Sequence, residues 1–127
     1  MSTLQTQFLG FTLENPFILA SAPPTKDYQS IKRAFEKGWA GAITKSIGME
    51  PFADVTPRIA YIKENGTVIA GQNFEMGSIY SIDEWIKIIN QLKKEFPQKL
   101  LYASIIAAVN EREWRFMAAK LANSLVD

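Results

Sequence analysis

The 127-residue sequence has no cysteine and no histidine. Disulfides, Cys/His zinc sites, cysteine nucleophiles and histidine bases are therefore excluded within this chain. Neither sign of charge is in excess: 14 Lys and Arg stand against 13 Asp and Glu, a net charge of +1. Nothing in bulk electrostatics draws such a chain to nucleic acid or to an anionic membrane. No apolar run approaches the roughly 20 residues that span a bilayer. The opening "MSTLQTQFLG" lacks a basic segment followed by an apolar one, so no signal peptide is expected. A cytosolic location fits these absences. No glycine-rich phosphate fingerprint occurs, since "GWAG" has the wrong spacing and precedes a strand rather than following one.

What is present is ordinary globular composition, 47% hydrophobic and 21% charged, in a length sufficient for one domain with its own core. Gly10 and the Asn15-Pro16 pair are turn signals, and residues 5–14 read as a short hairpin. "FILAS" (17–21), "AGAIT" (40–44) and "LLYASII" (100–106) are continuous apolar runs of the buried-strand type. Helical periodicity separates them. Tyr28, Ile31, Ala34 and Phe35 share one face of a helix that begins at Asp27 and stops at Gly38. Ser81 and Glu84 form a capping box for a helix over 82–96, whose stripe is Ile82, Trp85, Ile86, Ile89, Leu92 and Phe96 and which Pro97 ends. Asn110 and Glu113 open a third helix with Trp114, Met117, Ala118 and Leu121 on one face. The order βαβαβα predicts an α/β fold, a parallel sheet covered by helices.

One connection is too long. Residues 46–80 lie between the second strand and its helix, whereas βα loops usually run about 2–6 residues. Inside it "RIAYIK" and "TVIAG" flank "ENG", and Asn65-Gly66 predicts a β-hairpin. This insertion leaves the carboxyl end of a strand, where α/β folds place ligands. Lys45 stands at its root. By composition alone its stem covers the strand end while its ammonium reaches water, or it supplies a positive charge to a ligand. Asn73 is equally open between a local turn bond and a ligand contact, having both a donor and an acceptor. Ala20 and Ser21 are small, which suits close packing and a flat ligand alike. Trp39, Trp85 and Trp114 read as packing residues, and Lys93, Lys94 and Lys99 as a solvated face. The carboxylates Asp54, Glu64 and Glu75 are scattered through the insertion, with no pair forced onto one face.

"NPFILASAPPT", "IKRAFEKGWAGAITKSIG", "VTPRI", "GQNFE" and "LKKEFP…LLYASI" occur in that order and together resemble the flavin domain of dihydropyrimidine dehydrogenases and, more loosely, the dihydroorotate dehydrogenases. The resemblance covers nearly the whole chain. It implies the N-terminal part of a (β/α)8 TIM barrel: an opening hairpin and three βα units, residues 1–127 being a partial domain. A closed barrel has eight units and typically about 250 residues. It also implies FMN at the strand ends, with Ala20, Ser21, Lys45 and Ser46 as cofactor-binding residues and Lys45 and Asn73 as substrate-binding residues. No catalytic base is expected within the chain; it would follow Asp127. The implied reaction is hydride exchange with the C5–C6 bond of a pyrimidine, dihydrouracil or dihydroorotate. NAD(P)H and iron–sulfur clusters would enter only through a partner subunit.

Two other readings stand beside it. Lys45 at a strand end suits a Schiff-base aldolase, and a piece of a barrel suits a non-catalytic assembly role. A three-stranded sheet also leaves "FILAS" and "LLYASII" as open edges, so association into a homo-oligomer is expected.

Overall fold

The computed structural model describes residues 4–55 and 58–127; Thr56 and Pro57, inside "VTPRI", lie outside the described residues. The chain opens with the hairpin expected at 5–14, β1 (Thr6–Phe8) against β2 (Phe11–Leu13). Its two turn residues, Leu9 and Gly10, have φ of 48° and 87°, the left-handed pair that matches a two-residue turn to the twist of the strands. Asn15 ties the exit of the hairpin down. Its amide donates to the Gly38 carbonyl at 2.9 Å while its side-chain oxygen accepts from Phe17 N–H.

Three β–α units follow. β3 (Ile18–Leu19) leads through a 3-10 turn at Pro23–Thr25 to α1 (Tyr28–Glu36). β4 (Gly41–Ile43) leads through the long insertion, with β5 (Ile59–Glu64) and β6 (Thr67–Asn73), to α2 (Ile82–Glu95). β7 (Leu100–Tyr102) leads to α3 (Glu111–Leu121). β3, β4 and β7 form one parallel sheet with β4 in the centre. Each helix starts where a side chain replaces the missing backbone acceptor: Asp27 accepts from Ser30 N–H, Ser81 from Glu84 N–H, and Asn110 from Glu113 N–H. The Ser81–Glu84 box is closed in both directions.

The strands are shorter than their apolar runs. Ser104 N–H bonds the Thr44 hydroxyl at 3.1 Å instead of a backbone carbonyl, which interrupts the β4–β7 ladder. The ladder resumes as a single bridge between Ile47 and Ile105. Thus "LLYASII" holds three strand residues rather than seven.

The helices cover one face of the sheet, where Ala42 and Leu101 meet Ile31, Phe35, Trp85, Ile89, Leu92 and Met117. The opening hairpin covers the other, with Leu13 against Ala40 and Leu100 and with Phe8 6.4 Å from Tyr102. The expected stripe of α3 is only half realised. Met117 and Leu121 are buried, but Ala118 is exposed and Trp114 is 42% exposed, its indole N–H donating to the Ala108 carbonyl. Trp85 is fully buried and Trp39 half-buried beside Phe17.

The solvated lysine face needs correction. The Lys93 and Lys99 side chains are only 12% and 15% exposed, paired with Asp127 and Glu14. Asp127 also alters the expected open edge. β7 bonds β4 through Leu100 N–H and the Tyr102 carbonyl, so Leu101 turns its own groups outward. Asp127 takes both: its N–H donates to Leu101 O at 3.2 Å, and its carboxylate accepts from Leu101 N–H at 2.9 Å.

Ser78 is the buried knot of the insertion. Its hydroxyl accepts from Trp85 Nε1 at 2.7 Å and from Tyr80 N–H at 3.1 Å. Ser78→Ala leaves the buried indole N–H without a partner and is expected to destabilise the chain by about 1–3 kcal/mol. Adding Trp85→Phe removes that orphaned donor, so the double variant should lose less than the sum of the two single losses in urea denaturation.

Candidate functional site

The site forms where β4 ends. Thr44 and Lys45 are both buried, Lys45 to 7% exposure. Backbone bonds on two sides hold them: Thr44 N–H donates to Tyr102 O at 2.9 Å, and Lys45 N–H donates to Thr25 O at 3.0 Å. Thr25 is itself buried in the "APPT" turn. Its hydroxyl donates to Ala22 O at 3.0 Å and accepts from Ala22 N–H at 3.2 Å. Turn and strand end are thus stitched together, and the lysine is aimed rather than free.

A buried ammonium is costly unless paired. Its partner is Glu75, just past the end of β6, which accepts a hydrogen bond from Lys45 Nζ. Asn73 Nδ2 donates to the second oxygen of the same carboxylate at 3.3 Å. The Arg58 guanidinium lies 3.7 Å from Glu75 and 3.7 Å from Asp54. The Lys45 hydrogen bond holds the Glu75 carboxyl below its ordinary value, with the Asn73 amide and the Lys45 and Arg58 charges adding to it and partial burial opposing it. Glu75 is therefore a carboxylate near neutral pH.

The insertion is clamped to this position by packing. The Phe52 ring lies on Gly77 and Gly48, where an added Cβ would come within 2.3 Å and 2.6 Å of ring carbons. Ser78 N–H donates to Ser46 O at 2.7 Å and Phe52 N–H to Ser78 O at 2.8 Å. The loop therefore returns to the strand it left and brings Glu75 over Lys45.

Two clefts meet at this pair. The larger, about 410 Å³, is lined by Pro23, Lys26, Asp27, Asp54, Arg58, Asn73 and Tyr80 together with Lys45 and Glu75. The smaller, about 250 Å³, is lined by Ser21, Ala22, Ser46 and Ile106, again with Lys45 and Glu75. Met76 and Gly77 also border both.

Of the residues singled out in the sequence, Ser21, Lys45 and Ser46 converge on the smaller cleft, and Lys45 and Asn73 on the larger. The Ser46 hydroxyl lies 2.9 Å from that of Ser104. Ala20 lines neither cleft; its carbonyl lies 3.4 Å from the Thr25 hydroxyl, as the longer alternative to the Ala22 acceptor. Sequence reasoning missed Glu75 as the partner of Lys45. The scattering of carboxylates is also corrected, because Asp54 and Glu75 both line the larger cleft and each lies 3.7 Å from Arg58. One signal was legible: Asn73 and Glu75 are two apart at a strand end, a spacing that places both on one face. Among the described residues no group of His, Cys, Asp and Glu is arranged to hold a metal ion, and no helix is long and apolar enough to cross a membrane.

Comparison with known proteins is decisive for kinship. The chain is 33% identical over 126 residues to the chloroplastic NADP(+) dihydropyrimidine dehydrogenase of Arabidopsis thaliana, covering 93% of this chain and 30% of that protein. It is 33% identical over 116 residues to the Escherichia coli K12 NAD-dependent dihydropyrimidine dehydrogenase subunit PreA, covering 91% and 28%. Dihydropyrimidine and dihydroorotate dehydrogenases are thus homologous to this chain over 91–94% of its length. The catalytic subunit of dihydroorotate dehydrogenase B (NAD(+)) from Pyrococcus furiosus is 31% identical over 123 residues, covering 94% of this chain and 37% of that subunit. The chain spans about a third of the length of these relatives. No family model matches it.

The Lys45–Glu75 pair has a defined pH dependence. Because the Glu75 carboxyl is held below its ordinary value of 4.5, its contribution is fully present above that value and is lost as pH falls through the lowered one. Glu75→Gln should therefore cost about 1 kcal/mol at pH 7, a modest figure because Glu75 is partly exposed. The two denaturation curves should draw together on acidification toward pH 3. A difference independent of pH would contradict the pairing.

Proposed function

We propose that this chain is the N-terminal part of an FMN-dependent (β/α)8 barrel that exchanges a hydride with the C5–C6 bond of a pyrimidine. The observation that carries the reading is the position of Lys45: one buried cation at a strand end, bordering two clefts at once. The smaller cleft offers the small residues Ser21, Ala22, Ser46 and Gly77 beside that cation, which suits the edge of a flat, electron-accepting ring system. The larger offers Asn73, whose amide complements the alternating donors and acceptors of a pyrimidine. The kinship with dihydropyrimidine and dihydroorotate dehydrogenases supports the same substrate class.

Bound FMN would supply the hydride chemistry through its N5 position. The residues of this chain supply placement and charge. Lys45 has three N–H donors and gives one to Glu75, leaving two for the cofactor edge and the pyrimidine. Its charge favours electron density that develops on the oxygen and nitrogen atoms of either ring. Glu75 keeps the ammonium fixed, so the site does not reorganise as that charge appears. Asn73 orients the pyrimidine and, through its hydrogen bond to Glu75, couples substrate position to the lysine. The acid–base residue for the neighbouring carbon and the FMN phosphate site belong to later strands of the barrel. Electrons would pass to or from NAD(P)H through an iron–sulfur and flavin partner subunit.

A Schiff-base aldolase acts through a free amine, whereas Lys45 forms an ion pair. That pairing supports the charge role, and borohydride trapping with a carbonyl substrate that leaves Lys45 unmodified would separate the two chemistries.

Expected outcomes in the complete, flavin-loaded protein are distinct for the two residues. Lys45→Met slows flavin reduction by about 10²-fold, the scale of losing one preorganised charge donor, and weakens flavin retention far less. Asn73→Ala raises KM for the pyrimidine without changing flavin content. Stopped-flow reduction that is unchanged by Lys45→Met would overturn the reading.

A further inference from the structure

Lys45, Glu75, Met76 and Gly77 border both clefts, so these four residues form the boundary the clefts share. Phe52 meets that boundary from outside. Its ring is half-buried and lines neither cleft. It rests against both Gly77 and Gly48, and a Cβ added at either glycine would overlap its ring carbons. Neither glycine has a positive φ, so glycine is required there for room and not for backbone freedom.

The two glycines tie the ring to the two halves of the ion pair. Gly48 follows Lys45 by three residues, and Gly77 follows Glu75 by two. Backbone bonds draw the segments together: Phe52 N–H donates to Ser78 O at 2.8 Å, and Ser78 N–H donates to Ser46 O at 2.7 Å. The ring stops their approach. In a close-packed interior such a ring is an incompressible spacer, and a smaller side chain leaves a gap into which the Gly77 segment settles. Glu75 then moves relative to Lys45.

On the flavin reading given above, we propose that Phe52 is a positioning residue that, through Gly77, fixes the boundary between the clefts and hence the separation of a flavin in the smaller from a pyrimidine in the larger. Hydride exchange is sensitive to that separation. The reacting atoms must lie about 3–3.5 Å apart, and a misplacement of about 1 Å costs about 10²-fold in rate. Phe52 does this without touching either ring.

Two readouts in the complete, flavin-loaded protein test it. The first is the 13C NMR titration midpoint of the Glu75 carboxyl, taken without pyrimidine. The Lys45 hydrogen bond, with Asn73 and Arg58 adding to it, holds that midpoint below its ordinary value, and Phe52→Ala should raise it. The second is stopped-flow flavin reduction at saturating pyrimidine, which Phe52→Ala should slow by about tenfold or more, with a smaller change in KM. Phe52→Leu keeps more of the bulk and should fall between the two proteins in both readouts; it decides the matter if Phe52→Ala does not fold. Gly77→Ala is the converse. Beside the intact ring its methyl should shift the Glu75 midpoint and slow reduction. Combined with Phe52→Ala it fills part of the vacated space, and both readouts should recover. A residue that only stabilises the fold would lower the urea midpoint on replacement and move neither readout in the folded protein. That result, or a Gly77→Ala effect as large without the ring as with it, would overturn the positioning role alone. Failure of pyrimidine to reduce the flavin of the unaltered protein would instead overturn the flavin reading, and with it the hydride role of Phe52.

Discussion

A charged side chain driven into the end of a parallel strand must find a counter-charge, and in this chain the counter-charge lies 30 residues away in Glu75. Much of the architecture at the carboxyl end of the sheet serves that requirement. The "APPT" turn fixes the lysine backbone through Thr25. Phe52 wedges against two glycines and brings the insertion back over the strand that launched it. Ser78 then locks the return to Trp85 in the core. The site is therefore continuous with the hydrophobic core, because a single serine hydroxyl is shared by the loop that carries Glu75 and by the largest fully buried side chain.

This arrangement explains why one connection is so long. A βα loop of ordinary length would pass directly from Lys45 to α2 and leave the ammonium in a half-apolar cleft. The insertion supplies both a carboxylate for the lysine and an asparagine beside it, and the hairpin sets their spacing. Ile59 opposite Asn73 is the last pair of the ribbon, so its register places Asn73 and then Glu75 at the cleft.

Much of the fold was legible because it rests on local signals. The caps at Asp27, Ser81 and Asn110, the Asn65-Gly66 turn and the three apolar runs each act within a few residues, and each produced the element expected. What was not legible depends on pairs distant in sequence. Glu75 was visible as a carboxylate, but only the return of the insertion makes it the partner of Lys45. The shortening of β7 follows from one threonine hydroxyl taking the place of a backbone acceptor, which hydrophobic periodicity does not record. Lys93 and Lys99 looked solvent-facing because their partners, Asp127 and Glu14, come from opposite ends of the chain. The exposure of Trp114 is a tertiary outcome as well, since an amphipathic stripe states which face is apolar and not how much of it is covered.

The account turns on whether Glu75 answers the buried lysine in solution. A 13C NMR titration of the Glu75 side-chain carboxyl observes that directly. The account predicts a midpoint below the ordinary carboxylate value that rises when Lys45 is replaced by methionine. A midpoint at or above the ordinary value, unmoved by that replacement, would contradict it.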